Sequence, residues 1–544
     1  MLIFYYFFIA FSIIGYGTVI NNNIIRYKTN DLGLLGIIGL FFLILFSYIS
    51  TQFIAHTIIF NSIILITGFI LFLYSLKKKF LSKKDLKLFL LICFVFIFFI
   101  ILHKNHDDFS YYHFPYIITL VDYAHLIGMG NLNLGFNTHS SIFLLSSLFH
   151  LPHANYNLFH LPAAYYIIFV NFTLIKILFN QRIINKNLFL SFLTLSTLIF
   201  INIFFYRLAE HGTDRSAMIL ILLLIIKIFY FLNNKVELNQ LKIILIILAL
   251  IISLKAFYVL YFFLLVPVFL FLGHQNIFKN KVINPAFYLS LFLCIMVVLT
   301  NFNNSGCLLF PQSITCFEQF SWSQSLDQVK NLNIHYENWS KSGAGAGYEN
   351  VDKYEYVKNF NWLPNWIDKY FFNKVSDLIL SLLLIFILLL LIFANGKKLR
   401  SKKINYKSIY LIILVLLVVW FLKFPTLRYG GYHLVFILIF LPLSIYLSKF
   451  KSKNLLKKFK FILISVFVIF TYKNIDRIYY EVKTYNFNPA VSINYHINND
   501  YFRINNKIQS VLDNKENCDI KNSVCNLDDF KIKKIFKNKY IIFK

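Results

Sequence analysis

The sequence predicts an all-α polytopic membrane protein: a bundle of about fourteen transmembrane helices with a modest lobe outside the membrane. Hydrophobic residues make up 58% of the 544-residue chain and charged residues only 14%. Apolar runs close to the length of a membrane-spanning helix recur from end to end. A soluble domain averages roughly 25% charged residues, and a helix needs about 20 apolar residues to cross a bilayer. The composition therefore excludes soluble, disordered and collagen-like classes.

The apolar runs divide the chain into three parts. We expect an N-terminal extension of membrane helices at 1–87, a membrane domain at 88–472 and an extracytoplasmic tail at 473–544. The predicted spans lie at 2–20, 33–50, 54–75, 88–102, 158–178, 187–205, 216–232, 241–254, 257–272, 284–301, 375–394, 408–423, 431–448 and 460–472.

The distribution of positive charge predicts the orientation. The formal net charge is +29, from 53 Lys and Arg against 24 Asp and Glu. The cations lie in short loops between spans, so the positive-inside rule explains them and no nucleic-acid partner is expected. If the Lys-rich loop 77–87 is cytoplasmic, alternation places every other dense Lys/Arg loop on the same side. The long polar segments 103–157, 302–374 and 473–544 then lie on the extracytoplasmic side, together with the N-terminus. We expect an integral, multi-pass protein of the inner, cytoplasmic membrane whose active face is extracytoplasmic, and a retained first helix rather than a signal peptide.

The cysteines fit this orientation. Two close pairs, Cys307 with Cys316 and Cys518 with Cys525, fall in segments that we place on the oxidising side. They predict two local disulfides, and metal binding is the alternative interpretation.

A first cluster of reactive side chains follows the fourth span. Asp107 and Asp108 precede Tyr111, Tyr112 and His113 where a helix leaves the bilayer. A carboxylate there can accept a proton or hold a divalent cation. The alternative is that one of the two carboxylates caps a surface helix near 109–127.

Two later turns carry further charged groups. The link 206–215 contains Glu210, His211, Asp214 and Arg215, more ionisable groups than a simple turn needs. The segment 424–433 places Arg428 before Tyr429, Gly430 and Gly431, where a guanidinium is able to bind phosphate. Lys255 lies between two apolar helices. Anchoring of cations and Tyr at the membrane interface is the competing interpretation.

Four tryptophans of the outer segment 302–374 are candidate sugar-stacking residues. They equally fit the core of a small outer subdomain or an interfacial belt: Trp322, Trp339, Trp362 and Trp366.

Together these motifs resemble the GT-C superfamily of integral membrane glycosyltransferases. The similarity covers roughly 88–445 and depends on the segment Asp107–His113, the segment Gly135–Leu145, the Glu/Asp/Arg turn and the late Arg428-Tyr429-Gly430. It is closest to a bacterial branch with a similar first outer loop. Three predicted spans precede the helix that matches the family's first one.

The resemblance implies transfer of a sugar from a polyprenyl-phosphate carrier to a glycan, lipid or protein acceptor on the extracytoplasmic face. It assigns the role of base, or of ligand to a divalent cation, to Asp107 or Asp108. Glu210, His211 and Asp214 match the family's second acidic position, and Arg428, with Lys255 and Arg215, matches cations near the carrier phosphate.

Inverting sugar transfer needs a base, fixed positive charge for the departing phosphate and a groove for the lipid beside an aqueous cavity. A transporter or flippase for lipid-linked sugars is the first alternative, although the sequence lacks the internal repeats common in transporters. A non-catalytic membrane scaffold is the second. It predicts that the acids near 107 and 214 lie far apart in solvent.

Overall fold

The computed structural model describes residues 1–104, 108–154, 156–209, 212–233, 239–273, 284–349, 351–398, 406–489, 524–527, 530–536 and 539–543. Helices dominate this part of the chain. They are α1 Leu2–Ile20, α2 Leu32–Ser50, α3 Ile58–Lys77, α4 Lys83–Val95, α5 Ile97–Ile101, α6 Phe114–Asp122, α7 Met129–Leu132, α8 Ser141–Ser147, α9 Leu161–Leu178, α10 Gln181–Lys186, α11 Leu188–Phe204, α12 Thr213–Asn233, α13 Asn239–Leu254, α14 Val266–Gly273, α15 Pro285–Ser305, α16 Leu326–Lys341, α17 Lys353–Val357, α18 Leu363–Trp366, α19 Ser376–Phe393, α20 Lys407–Lys423, α21 Gly431–Leu447 and α22 Leu455–Tyr485.

Several of these helices are long and apolar enough to cross a membrane, as the composition predicts. Within the described residues eight meet that description: Leu2–Ile25, Leu32–Ser50, Ile58–Lys77, Leu161–Leu178, Thr213–Asn233, Ala256–Gly273, Pro285–Ser305 and Leu363–Phe393. Helical structure also occupies each of the other predicted spans. The count of fourteen membrane crossings stays a prediction.

The first three helices pack through close backbone contacts. A Cβ atom on Gly15 of α1 would lie 2.1 Å from the carbonyl oxygen of Gly68 in α3, and one on Gly17 would lie 1.8 Å from that of Leu35 in α2. Small residues at such crossings let membrane helices approach closely. Gly36 packs in the same way on the ring of Phe169 in α9. The segment 1–87 therefore shares a continuous apolar core with later helices.

Charged loops gather at one end of the bundle. The ammonium group of Lys242 donates to the carbonyl of Ile25 at 2.7 Å, and Lys176 pairs with Asp85 at 2.9 Å. Strands β3 (Lys397–Lys398) and β4 (Phe450–Lys451) also pair antiparallel. These contacts join charged segments in pairs, and we call the end of the bundle that carries them the inner end.

The other end of the bundle carries the long polar segments, and we call it the outer end. Strands β1 (His103–Lys104) and β2 (Leu208–Ala209) pair there in parallel. Helices α6 to α8 fold back as short buried pieces below the surface. The outer lobe, which we define as residues 302–374, covers the neighbouring loops through contacts of α16 and α18.

Part of the tail forms a small antiparallel sheet, which the all-α prediction did not contain. The strands are β5 Val524–Leu527, β6 Phe530–Phe536 and β7 Lys539–Phe543, in the order β5-β6-β7. Polar and apolar residues alternate over much of β6, the pattern of a half-buried strand. The sheet joins the first outer loop, because the N–H of Ile127 donates to the carbonyl of Tyr540 at 3.0 Å and the N–H of Ile542 to that of Ile127 at 2.8 Å.

The outer lobe contains a disulfide bond between Cys307 and Cys316, one of the two predicted pairs. Cys307 packs with Phe310 and Val329 in a small apolar cluster of its own. For the second predicted pair, Cys518 and the side chain of Cys525 lie outside what the structure describes.

Candidate functional site

The loop between α20 and α21 carries Arg428 and is held from several directions. The indole N–H of Trp420 donates to the carbonyl of Thr426 at 2.8 Å. The indole N–H of Trp366, in the outer lobe, donates to the carbonyl of Pro425 at 3.0 Å. The backbone N–H of Leu427 donates to the hydroxyl oxygen of Tyr370 at 2.8 Å. Three aromatic side chains therefore fix the backbone immediately before Arg428.

Arg428 joins two carboxylates from remote parts of the chain. Its Nη2 lies 3.3 Å from Oδ2 of Asp108, and its Nε lies 3.4 Å from Oδ2 of Asp214. The other oxygen of Asp214, Oδ1, lies 3.4 Å from Nζ of Lys255. We call Asp108, Asp214, Lys255 and Arg428 the charged cluster.

Local structure explains how the four residues meet. Asp108 begins the π-helical turn Phe109–His113 that leads into α6. Asp214 lies in the first turn of α12, where the helix dipole favours a carboxylate. Lys255 is in an extended conformation directly after α13 and before the 3-10 helix Ala256–Leu265. Each residue thus lies where a helix begins or ends at the outer end of the bundle.

The cluster is sheltered but reachable. The side chains of Arg428 and Asp108 are 32% and 27% exposed, whereas those of Asp214 and Lys255 are 14% and 12% exposed. Asp108 and Arg428 therefore form the accessible side of the cluster. Asp214 and Lys255 form its floor.

Aromatic rings surround the guanidinium of Arg428. Its Cζ lies 5.5 Å from the ring centroid of Trp339 in α16 and 5.4 Å from that of Tyr429. Cation–π contacts of this kind hold a guanidinium in place without neutralising it. Trp362 and Trp366 are buried in the lobe core, whereas Trp339 contacts the charged cluster directly.

Burial and neighbouring charges have opposite effects on the pKa of Arg428. Burial alone would lower its pKa, but the carboxylates of Asp214 and Asp108 outweigh that effect and raise the pKa above its ordinary value. The guanidinium therefore keeps its charge at every accessible pH. Burial, followed by the Asp108 carboxylate, raises the pKa of Tyr111 and of Tyr112, so both phenols stay protonated.

The structure separates the remaining predicted residues into three groups. Tyr111 is half exposed, whereas Tyr112 and His113 are buried against Phe143. Arg215 turns away from the charged cluster, and its Nη1 donates to the carbonyl of Arg207 at 2.8 Å. Three predicted residues lie outside the described residues: Asp107, Glu210 and His211.

The alternative role of Asp108 as a helix cap does not match the geometry. Asp108 itself has helical dihedral angles, and its side chain makes no capping hydrogen bond to the turn that follows. Its carboxylate faces Arg428 instead.

The divalent cation predicted at Asp107 and Asp108 stays a prediction, because Asp107 lies outside the described residues. Among residues with described positions, no three His, Cys, Asp or Glu side chains come close enough to hold a metal ion. The Asp108 carboxylate already pairs with a guanidinium. We therefore derive no chemical step through a metal.

Several residues that build the site were not among the sequence candidates. Tyr370 and Trp420 fix the Arg428 loop, and Tyr336 of α16 interacts electrostatically with Asp108, Tyr111, Tyr112 and Tyr429. Trp420 lies near the end of an apolar run, which in sequence looks like an interfacial anchor. The sequence around Tyr370 and Tyr336 does not indicate that they belong to the site, because their roles depend on how the outer lobe folds over the bundle.

Comparison with known proteins identifies a family. The model of a family described as a domain of unknown function, DUF8201, matches residues 1–435. No curated protein and no solved structure matches the chain.

Proposed function

The chain belongs to the DUF8201 family, and from the charged cluster we propose that it is a membrane glycosyltransferase. It transfers a sugar from a polyprenyl-phosphate-linked donor to a glycan, lipid or protein acceptor at the outer end of the bundle. We further propose that the outer end is extracytoplasmic, because the charge pattern of the sequence places the dense Lys/Arg loops at the opposite end.

The proposal depends on one observation. A carboxylate that solvent can reach, Asp108, lies 3.3 Å from a guanidinium, and a second carboxylate links that guanidinium to an ammonium group. A base beside two fixed cations is what transfer from a phosphate leaving group requires. A scaffold protein predicts instead that these acids are apart and solvated.

The chemistry follows from the exposure of each group. Asp108 takes the proton of the acceptor hydroxyl while that oxygen forms a bond to the anomeric carbon of the sugar. The bond between this carbon and the phosphate oxygen breaks, and its electron pair stays on the phosphate. Arg428 stabilises the developing phosphate charge, and Lys255 adds to the positive potential beneath it.

Asp214 is a positioning residue in this scheme. It contacts both cations and is less exposed than Asp108, so it holds them near one another against their mutual repulsion. The donor phosphate approaches from the accessible side and competes with Asp108 for the guanidinium. This exchange frees the Asp108 carboxylate for the acceptor.

A direct assay uses the purified full chain in lipid nanodiscs with a panel of polyprenyl-phosphate monosaccharides and a membrane extract as acceptor source. Mass spectrometry detects free polyprenyl phosphate and the glycosylated product. Transfer that is lost in Asp108→Asn supports the proposal. Full transfer in Asp108→Asn, or movement of intact donor across vesicles with no release of polyprenyl phosphate, contradicts it, and the second result identifies a transporter.

A further inference from the structure

Near its start the outer lobe contains a loop that the disulfide between Cys307 and Cys316 closes. This loop, residues 306–317, directly follows α15, a helix long and apolar enough to cross a membrane. Three of its large apolar side chains are exposed: Ile314 at 94%, Phe317 at 40% and Leu308 at 36%. Single exposed apolar residues are ordinary, but several on one short loop indicate an interaction surface. We call residues 306–317 the disulfide loop.

The disulfide loop continues an uncharged stretch of the chain. No Asp, Glu, Lys or Arg occurs between Lys281 and Glu318, and this stretch contains all of α15 and the whole loop. Charged side chains are costly in hydrocarbon, so their absence is typical of a segment in contact with lipid. The lobe becomes charged again after the loop, where Asp327 and Lys330 form an exposed ion pair. The composition of a membrane segment therefore extends beyond the end of the helix.

The disulfide loop lies beside the last turns of α15. The amide of Asn301 in α15 donates to the carbonyl of Leu308 at 3.4 Å, and the ring of Phe302 lies 6.1 Å from that of Phe317. Phe302 continues a stripe of exposed apolar side chains that recur at helical spacing along α15, at Tyr288, Phe292, Ile295 and Leu299. Such a stripe on a membrane-spanning helix faces lipid. The loop therefore adjoins the lipid-facing side of α15.

Aromatic rings gather where the loop meets the end of α15. The ring centroids of Phe320 and Trp322 lie 5.2 and 5.8 Å from that of Phe302. The indole N–H of Trp322 also donates to the carbonyl of Phe302 at 3.2 Å. Tryptophan is enriched at the boundary between membrane and water. This cluster indicates that the base of the disulfide loop lies at that boundary.

The backbone of the disulfide loop is largely paired within the loop. The N–H of Leu308 donates to the carbonyl of Thr315 at 3.0 Å, and the N–H of Thr315 donates to the carbonyl of Gln312 at 2.9 Å. The N–H of Gln312 donates in turn to the carbonyl of Leu309 at 2.8 Å. Backbone groups that have such partners lose less free energy when they leave water.

We propose that the disulfide loop inserts its apolar tip into the lipid leaflet at the outer end of the bundle. Ile314 enters the acyl chains, flanked by Leu308 and Phe317, while the disulfide at the base stays at the level of the headgroups. The uncharged stretch and the contact with the lipid-facing side of α15 favour lipid over a protein partner. The insertion ties the start of the outer lobe to the membrane surface. It is independent of sugar transfer, so its test does not depend on the proposed activity.

The test measures tryptophan fluorescence of the full chain in nanodiscs. Ile314→Trp places a reporter at the tip of the loop. Asp327→Trp is the matched control, because the Asp327 side chain is 92% exposed in the first turn of α16. Each variant is measured in phosphatidylcholine and in phosphatidylcholine whose acyl chains carry bromine, a quencher that stays in the membrane. Acrylamide serves as the quencher in water, and the unsubstituted chain gives the contribution of the five native tryptophans.

We expect brominated lipid to reduce the added emission of Ile314→Trp severalfold and to leave that of Asp327→Trp nearly unchanged. Acrylamide should quench Asp327→Trp severalfold more strongly than Ile314→Trp. Both replaced side chains are almost fully exposed, so both variants should melt at the temperature of the unsubstituted chain.

Three results overturn the proposal. The first is Ile314→Trp emission that acrylamide quenches and brominated lipid does not, which places the tip in water. The second is emission protected from both quenchers, which assigns the tip to a contact with a second copy of the chain. The third is equal quenching of the two variants by brominated lipid, which shows no preference of the loop for the membrane.

Discussion

Asp108 and Arg428 are 320 positions apart in the chain, yet Oδ2 of the first lies 3.3 Å from Nη2 of the second. The contact joins the first outer loop to the last one before α21. Both residues are partly accessible, which is the property that separates a reactive ion pair from a buried structural one.

Replacing Arg428 with Gln should lower the rate of sugar transfer about 100-fold or more, because it removes the cation nearest the departing phosphate. Arg428→Lys should restore only part of the rate, since an ammonium group cannot contact Asp108 and Asp214 through separate nitrogens. Release of polyprenyl phosphate in nanodiscs measures both. Lys423→Gln, which removes an exposed cation at the start of the same loop, should change the rate less than twofold. Equal losses in Lys423→Gln and Arg428→Gln would assign the effect to net charge.

Asp108 and Asp214 should differ in what their loss affects. Asp108→Asn should lower the rate about 100-fold or more, because it removes the base, with a stability cost of about 1 kcal/mol or less at this exposure. Asp214→Asn should lower the free energy of unfolding by on the order of 3 kcal/mol, since it leaves two sheltered cations facing one another. Denaturant unfolding in detergent and the transfer assay give the two quantities. The reverse pattern would exchange the two roles.

Removing the Tyr370 hydroxyl should weaken the support of Arg428. Tyr370→Phe leaves the buried N–H of Leu427 without its acceptor, at a cost of about 1–3 kcal/mol. The transfer rate should fall about tenfold, because a small displacement of a catalytic group from its reactive position lowers the rate of the chemical step. Tyr354→Phe, on an exposed side chain of the same lobe, is the matched control. An unchanged rate in Tyr370→Phe would show that the loop keeps its position without this bond.

The orientation of the bundle can be tested with thiol labelling. In cells expressing a Cys518→Ser/Cys525→Ser chain, a membrane-impermeant maleimide should label Cys316, the more exposed partner of the disulfide, only after treatment with an impermeant reductant. Lys78→Cys, in the loop at the opposite end, should react only after permeabilisation. Labelling of Lys78→Cys in intact cells would reverse the predicted topology.

Stability should fall on acidification because two buried histidines of the first outer loop resist protonation. Burial lowers the pKa of His125 to about 4 and that of His139 to about 3. The unfolded chain therefore binds more protons below its histidine pKa near 6.5, and stability is full above that pH and declines toward pH 4 and 3. At about 1.4 kcal/mol per pKa unit, His125 alone accounts for about 3 kcal/mol. Denaturant unfolding from pH 7 to 4 measures the loss, which should be smaller in His125→Asn.

The helical architecture was predictable because hydropathy is a local property of the chain. Lys255 is an example. This cation separates two apolar runs in the sequence, and in the structure it lies directly after the end of α13. The side on which a residue faces was not predictable. Asp214 and Arg215 are adjacent, yet the helix turns them by about 100°, as 3.6 residues per turn requires, so Asp214 pairs with Arg428 whereas Arg215 donates to the carbonyl of Arg207.

The contacts that the outer lobe makes could not be predicted from the sequence either. Trp339 is one of four tryptophans with similar surroundings in the sequence, and only tertiary packing places it on Arg428. The strands of the tail escaped prediction because a long Asn- and Lys-rich segment hides their short alternating pattern.

The pairing of Ile127 with β7 has a consequence for biosynthesis. The backbone partners of Ile127 are Tyr540 and Ile542, so more than 400 residues must be synthesised after Ile127 before its hydrogen bonds can form. The first outer loop thus reaches its final conformation only after β7 has been synthesised. A truncated product, however well its helices insert, would leave this edge of the molecule open.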